Sequence, residues 1–372
     1  MKKRILFLIG DDPNYDQRMQ KTCASLVSNN YDVLLVGIAR SKNVKPLLPQ
    51  PFEQRRFRII SKKGFWLFAE INFRLFFNLL FTRCDVICCI DLDTIIPGYF
   101  LSILKGTKKV HDAHELFCEM PSIALRPRIH KFWKRIEKTF LPKFKNGYTV
   151  NESLAKEYNT MYGLSYQVIM NAAILNYDDN VQVGKDKKLL LYQGAVQKGR
   201  GIEYLIQAMK HLDAQLVICG RGDFFEAAKQ LTAELGLEDK VDFKGYVFPE
   251  DLKTITKKAY IGLNTLLAEG KSFYLSLSNR TFDYMHALTP QIAMDLPEYA
   301  HVNSEFEVAV LIKELSVENI VAAVQRLMQD DALYSRLQHN CQQARLVFNW
   351  QHEEKKLVLF YNDLFKNTEQ FF

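Results

Sequence analysis

The sequence predicts an α/β protein built from two doubly wound parallel sheets in tandem. Three observations carry this expectation. The chain has 372 residues, which exceeds what one hydrophobic core ordinarily serves and suits two domains of roughly 150–200 residues. Short apolar runs alternate with segments of helical periodicity, a pattern that needs crossover helices and hence parallel strands. That alternation restarts near residue 189, after a polar stretch rich in Asp and Lys.

In the first half, strands are expected at residues 5–9, 32–36, 86–90, 109–110 and 148–150. Helical spacing of apolar residues marks 17–27, 95–104 and 131–140 between them. In the second half the expected strands are 189–192, 215–218, 241–243, 261–263 and 291–293. Helices are expected at 202–211, 223–235, 249–257 and 317–329, with a terminal one at 351–365. The segment 177–188 carries Asp178, Asp179, Lys185, Asp186 and Lys187 and has the composition of a linker. Two such domains are expected to face each other, with ligands at the strand C-termini in the cleft between them.

Composition narrows the class further. Hydrophobic residues at 48% supply two cores, and charged residues at 24% argue against disorder. The net charge of +7 suits phosphorylated ligands or an anionic membrane surface better than nucleic acid. Cys23, Cys84, Cys88, Cys89, Cys118, Cys219 and Cys341 are odd in number and include no pair of CxxC units. Reduced core thiols in a cytoplasmic protein account for them better than zinc or disulfides. The basic start Lys2-Lys3-Arg4 and the run Ile5 to Ile9 mimic a signal peptide but meet Asp11-Asp12-Pro13 at once, so they read as a first strand. No stretch of 18 apolar residues suggests a spanning helix.

Several segments could carry chemistry. Asn279-Arg280-Thr281-Phe282-Asp283 sets a cation and a carboxylate three residues apart at a helix start. Free N–H groups and the helix dipole there suit an anion, Arg280 a diphosphate, and Asp283 a ribose diol. A surface helix with an Arg–Asp pair is the plain alternative. Gly194 through Gly201 forms a glycine loop with Lys198 and Arg200 after a strand, suited to phosphate but matching neither the P-loop nor the dinucleotide fingerprint. Gly220-Arg221-Gly222 follows a buried strand and permits a sharp turn, as a plain connection also would. His111-Asp112-Ala113-His114-Glu115, with Asp91 and Asp93 before it, suits a sugar hydroxyl better than a metal. Arg55, Arg56, Arg58, Lys62 and Lys63 lead into an aromatic stretch from Phe65 to Phe81, and Lys131 to Lys145 repeats the chemistry. Such material can lie on an anionic bilayer, although a core helix with solvated cations explains it too.

In this order the segments resemble the retaining glycosyltransferases of the GT-B fold, in the large glycosyl transferases group 1 family (family 4). Asp16-Gln17-Arg18 resembles that family's N-terminal segment, and Asp91-Leu92-Asp93 and Asp112-Ala113-His114-Glu115 resemble two acidic motifs. Thr149-Val150-Asn151-Glu152 is similar to its strand end, the 194–201 loop to its donor loop, and Asn279 to Met285 to its signature. Departures are Ile90 for a histidine, Ala195 for an arginine, Arg280 for lysine and Asp283 for glutamate. Leu275 stands where a first glutamate is usual, with Glu269 a substitute candidate.

The resemblance implies two Rossmann-like domains: 1–176 binding acceptor, a linker at 177–188, 189–350 binding nucleotide-sugar, and 351–372 returning to the first domain. It implies a metal-independent transferase without cofactor, moving a sugar from a nucleotide diphosphate-sugar to a glycan or lipid-linked acceptor in cell-surface polysaccharide synthesis. Arg200, Arg280 and His114 become the catalytic candidates. Gly194, Lys198, Gly220, Arg221, Asn279 and Asp283 become the nucleotide-sugar contacts. The place is the cytoplasm, at the inner face of the plasma membrane where an anionic surface is a partner; nucleic acid is not one. A catalytically idle nucleotide-sugar-binding scaffold, an epimerase or a phosphorylase on the same fold stays open.

Overall fold

The computed structural model describes residues 2–40, 44–61, 64–176 and 184–366. The chain divides into two compact units: Met1–Asn171 with Glu353–Phe372, and Ala172–His352.

The first unit is a seven-stranded parallel sheet. Its strands are β1 (Arg4–Leu8), β2 (Asp32–Ala39), β3 (Glu53–Arg58), β4 (Val86–Ile90), β5 (Lys108–Ala113), β6 (Asn146–Thr149) and β7 (Gln167–Val168). They lie in the order β3-β2-β1-β4-β5-β6-β7. The second unit has β8 (Asp186–Gln193), β9 (Gln215–Cys219), β10 (Val241–Gly245), β11 (Ala259–Asn264), β12 (Gln291–Met294) and β13 (Ala309–Ile312), ordered β10-β9-β8-β11-β12-β13. Every pairing is parallel here too.

Central strands such as β4, every residue of which is buried, read as unbroken apolar runs because helices cover both faces. In each unit the chain winds outward from one strand, β1 or β8, first one way and then the other. The crevice at such a switch point, beyond the strand C-termini, is where a ligand fits.

The expected strands and helices all occur, with ends shifted by a few residues. Others were not foreseen. β3 has the sequence Glu-Gln-Arg-Arg-Phe-Arg and no apolar run, because it is an edge strand with little to bury. Arg55 and Arg56, expected as part of a membrane-facing basic stretch, instead pair with Glu53 at 2.7 Å and Asp12 at 2.8 Å. Lys62 and Lys63 lie outside the described residues.

The division between units falls between Asn171 and Ala172, not at 177–188. Two contacts explain this: Trp350 N donates to Ala173 O (2.8 Å) and Leu175 N to Gln351 Oε1 (3.0 Å). Residues 177–183 of the expected linker lie outside the described residues, and 186–188 belong to β8. The helix Trp350–Lys366 starts in the second unit, and from Glu353 onward it packs on the first. There Tyr361 is fully buried against Phe7 and Tyr148, and Glu353 accepts from Met170 N at 2.8 Å. Among the described residues, no helix is long and apolar enough to cross a membrane.

Candidate functional site

Each unit has a cavity at the C-terminal end of its sheet. In the second unit it measures about 250 Å³ and is lined by Gln193, Gly194, Ala195, Arg200, Leu252, Ser278, Asn279, Arg280 and Asp283. Gln193 ends β8, and Gly194 turns the chain away at φ 127°. A Cβ on Gly220 would stand 1.7 Å from the Gly194 carbonyl oxygen, so only glycine lets the two strand-end loops touch. Gly194 N donates to Cys219 O (2.9 Å) and Val196 N to Arg221 O (3.0 Å), which binds the loops to each other.

Arg280 opens the helix Arg280–His286, whose position is set by Tyr284. That ring crosses β11 where Gly262 has no side chain, since a Cβ there would lie 2.5 Å from the ring. The Tyr284 hydroxyl then donates to Leu191 O on β8 (2.9 Å). Arg280 is thereby buried, 5% exposed, at the ends of β8 and β11. Its Nε donates to Asn264 Oδ1 (2.9 Å), its Nη1 donates to Gln193 O (3.0 Å), and its guanidinium lies 4.5 Å from the Tyr192 ring centre. All of these partners are neutral. Among the described residues no carboxylate lies within ion-pair distance of Arg280. A buried charge without a counter-charge is costly, and an anion in the cavity would offset that cost.

Asp283 is held differently. Its Oδ2 accepts from Gln193 Nε2 (2.8 Å), and Gln193 Oε1 in turn accepts from the buried Thr256 hydroxyl (2.9 Å). Gln193 thus touches both charged groups, Arg280 through its carbonyl and Asp283 through its amide. The sequence reading missed it, and the signal available was its place as the last strand residue before a glycine. Asn264, which aims Arg280 and ends β11, was also missed.

Five of the expected donor-site residues meet at this cavity: Gly194, Arg200, Asn279, Arg280 and Asp283, with Ala195 beside them. Three do not line it. Lys198 is exposed on its loop, Gly220 packs under Gly194, and Arg221 lies beside Gly245. Arg200 packs its guanidinium 4.7 Å from the centre of the Phe273 ring. The expected open helix start is corrected. Thr281 N donates to Ser278 O (2.9 Å), and Phe282 N and Asp283 N to Asn279 O (3.0 and 3.3 Å). The chain already turns at Asn279, which has helical dihedrals, so the preceding carbonyls satisfy these N–H groups.

The first unit's cavity, about 280 Å³, is lined by Ile9, Gly10, Asp11, Asp16, Arg40, Ile90, Asp91, Asp93, His114, Glu115 and Phe117. Beneath it, Arg18 Nη2 donates to Asp112 Oδ1 (3.0 Å) and Nη1 to Ile169 O (3.1 Å). His114 Nε2 stands 3.1 Å from Asp112 Oδ2, and His114 N donates to Asp91 Oδ1 (2.8 Å). Arg18 Nε also lies 3.0 Å from that Nε2, which can accept from Arg18 or donate to Asp112 but not both. Burial works against charge on the ring, but Asp112 and Asp91 outweigh it and raise the His114 pKa to about 9. The protonated ring therefore donates to Asp112. Burial and the neighbouring Asp91 carboxylate push Asp93 up to about 7. His111, expected beside His114, lies instead in the core among Phe144, Tyr158 and Tyr166, and burial lowers its pKa to about 4.

Residues 175–344 match the family described as glycosyl transferases group 1. The match covers 170 of the 372 residues, so the likeness to the group 1 glycosyltransferases is one of this segment. The O-antigen chain mannosyltransferase RfbU of Salmonella typhimurium is 27% identical over 219 residues, 56% of this chain and 58% of that protein. The aligned stretches span between 23% and 58% of the curated relatives' own lengths. Among solved structures, the sucrose-phosphate synthase of Thermosynechococcus elongatus superposes with a TM-score of 0.79 at 18% identity, covering 98% of this chain and 100% of that one. Anabaena HepE in complex with UDP and glucose gives 0.73 at 12% identity, covering 97% and 100%. These structural similarities establish the GT-B fold. The matched segment contains the whole Arg280 cavity of the second unit.

Proposed function

We propose that this protein is a retaining, metal-independent hexosyltransferase. It moves a sugar from a nucleotide diphosphate-sugar to a glycan or lipid-linked acceptor in cell-surface polysaccharide synthesis, working in the cytoplasm at an anionic membrane. One observation carries the reading: Arg280 is a buried cation whose protein partners are all neutral, at the wall of a cavity large enough for a diphosphate. HepE, which shares the fold, is described in complex with UDP and glucose, and the RfbU relative is described as a mannosyltransferase.

In this mechanism the bond from the sugar's anomeric carbon to the diphosphate oxygen breaks and negative charge builds on the departing diphosphate. Arg280 and Arg200 stabilise that charge as it forms. The acceptor oxygen bonds the anomeric carbon on the same face, and its proton passes to the departing phosphate. No second carboxylate is required for this route. Asp283, fixed by Gln193, takes the ribose hydroxyls. The acidic cavity of the first unit takes the acceptor hydroxyls, with His114 a donor beside them.

A non-catalytic nucleotide-sugar binder is the second reading, favoured by Ala195 and by the tie between Asp283 and Gln193. A thermal-shift screen with UDP, GDP, ADP and CMP on wild type and Arg280→Met tests the donor site. A diphosphate at 100 times its dissociation constant stabilises by about 2.7 kcal/mol. A shift with one diphosphate, absent in the variant, supports the donor site; no shift in a folded sample overturns it. Release of sugar from the matching donor then separates the enzyme from the binder.

A further inference from the structure

The helices that connect β3 to β4, β4 to β5 and β5 to β6 cover the same face of the first sheet, as right-handed crossovers require. The first of them, Gly64–Leu79, buries Leu67, Ile71, Leu75 and Leu79 against the sheet. Its outer stripe should then be polar, and it is not. Phe65, Trp66, Phe73 and Phe77 are all more than half exposed, and Phe81 just beyond is 91% exposed. The only charges on this helix, Glu70 and Arg74, bond each other at 2.7 Å, and Glu70 also accepts from Ile60 N and Ser61 N.

The stripe continues onto its neighbours. Phe65 meets Phe132 on the helix Pro127–Phe140 with ring centres 5.9 Å apart. On the helix Ile95–Lys105, Phe100, Ile103 and Leu104 are exposed, and Phe100 lies 6.0 Å from Phe140. Around this apolar band the exposed charges of Pro127–Phe140 and the turn after it are positive, and the nearby Glu119 is paired with Lys134 at 3.0 Å. Lys131, Arg135, Lys138, Lys143 and Lys145 are exposed. The sole acid between residues 120 and 146 is Glu137, buried and paired with Lys134 at 2.7 Å.

We infer that this helical face docks on an anionic phospholipid bilayer, with Trp66, Phe77 and Phe81 entering the headgroup–acyl boundary and the cations of Pro127–Phe140 holding the headgroups. A second copy of the chain fits the band less well, because an apolar interface between copies would bring two rows of cations together. A bilayer offers apolar depth and negative charge at once. The inference gives the membrane association proposed above its residues and is independent of the donor chemistry, which resides in the other unit.

Vesicle flotation tests it, comparing phosphatidylcholine alone with phosphatidylcholine containing about 30% phosphatidylglycerol. Wild type should float with the anionic vesicles at least about tenfold better than with neutral ones, and lose binding as salt shortens the screening length. Trp133 and Trp350 are buried at 4% exposure each, so a blue shift and quenching by brominated lipid would report Trp66. The variant Trp66→Ser/Phe77→Ser/Phe81→Ser changes only exposed side chains. It should keep its circular dichroism and nucleotide thermal shift but no longer float. Lys131→Glu/Arg135→Glu/Lys138→Glu should lose the preference for anionic vesicles. Absence of flotation by wild type, or flotation retained by the aromatic variant, overturns the inference. So does self-association in ultracentrifugation that the aromatic variant abolishes while vesicles stay unbound, which would assign the face to a second copy.

Discussion

Two buried arginines, one in each unit, stand near the C-terminal ends of their sheets, yet they answer opposite needs. Arg18 gives one nitrogen to a fully buried carboxylate, Asp112, and burial's penalty on Asp112 is outweighed by Arg18 and His114, which hold it at a pKa of about 2. Its charge is spent inside the protein. Arg280 gives its nitrogens to an amide oxygen and a backbone carbonyl and rests on a tyrosine ring. Its charge stays available to whatever fills the cavity. The same residue type in the same fold is thus a structural cation in one unit and a ligand-seeking one in the other, and the chemistry of the partner decides which.

Arg18→Met is the severest test of that contrast. It strands Asp112 in the interior without its main counter-charge, so denaturant unfolding should show a loss of about 3–5 kcal/mol. A loss below about 1 kcal/mol would mean that His114 alone suffices and that Arg18 is not the structural cation described.

Arg280→Met should behave the other way round. Two hydrogen-bond acceptors lose a donor, which costs about 1–3 kcal/mol of stability, but no buried carboxylate is left bare. Transfer should fall by about 100-fold or more, the scale of losing one positioned donor to a developing oxyanion. A variant as unstable as Arg18→Met would put Arg280 in the structural class as well.

Gln193→Leu sharpens the second half of the contrast. The Gln193 carbonyl still receives Arg280, whereas Asp283 and the Thr256 hydroxyl lose their amide partner. The donor KM should rise by about five- to tenfold with kcat little changed, the effect of one mispositioned hydrogen bond of about 1–1.5 kcal/mol. An equal fall in kcat would assign Asp283 to the transition state instead of to binding.

The smallest effect concerns the proton on His114. Folding raises this pKa from about 6.5, the unperturbed value, to about 9. The stabilisation is therefore fully present below about pH 6.5 and is lost as pH rises through 9. The His114 ring resonances should titrate near pH 9, and Asp91→Asn should move that midpoint downward by removing one of the two carboxylates. A wild-type midpoint near 6.5 would show a neutral ring that accepts from Arg18.

Most of the sheet scaffold was legible because both sheets are covered on both faces. Strands such as β4 then have to be apolar throughout, as is the buried stretch 190–192 of β8, and the helices between them show their period. β3 escaped because an edge strand beside solvent carries charge, and β7 because two residues make no pattern. At the site, Gly194, Arg200, Arg280 and Asp283 stood out as glycine or charge at strand ends and a helix start. Asn264 and Thr256 did not, since neutral polar residues in strands and helices have no sequence signature of their own, and Gln193 had only its place before a glycine. Lys198 and Arg221, the cations of the two glycine loops, are exposed and do not line the cavity.

By itself the sequence determined the α/β class, the doubling of the sheet and the strand ends where chemistry-bearing side chains cluster, because burial on two faces and the helical period are local properties of the chain. Only the tertiary structure decided which of those side chains keep their charge for a ligand. An arginine's partners come from strands far away in sequence: Gln193 lies on β8 and Asn264 on β11, while the competing carboxylate Asp112 belongs to the other sheet. Whether a buried cation is neutralised depends on those long-range neighbours, and they come together only when the sheet forms.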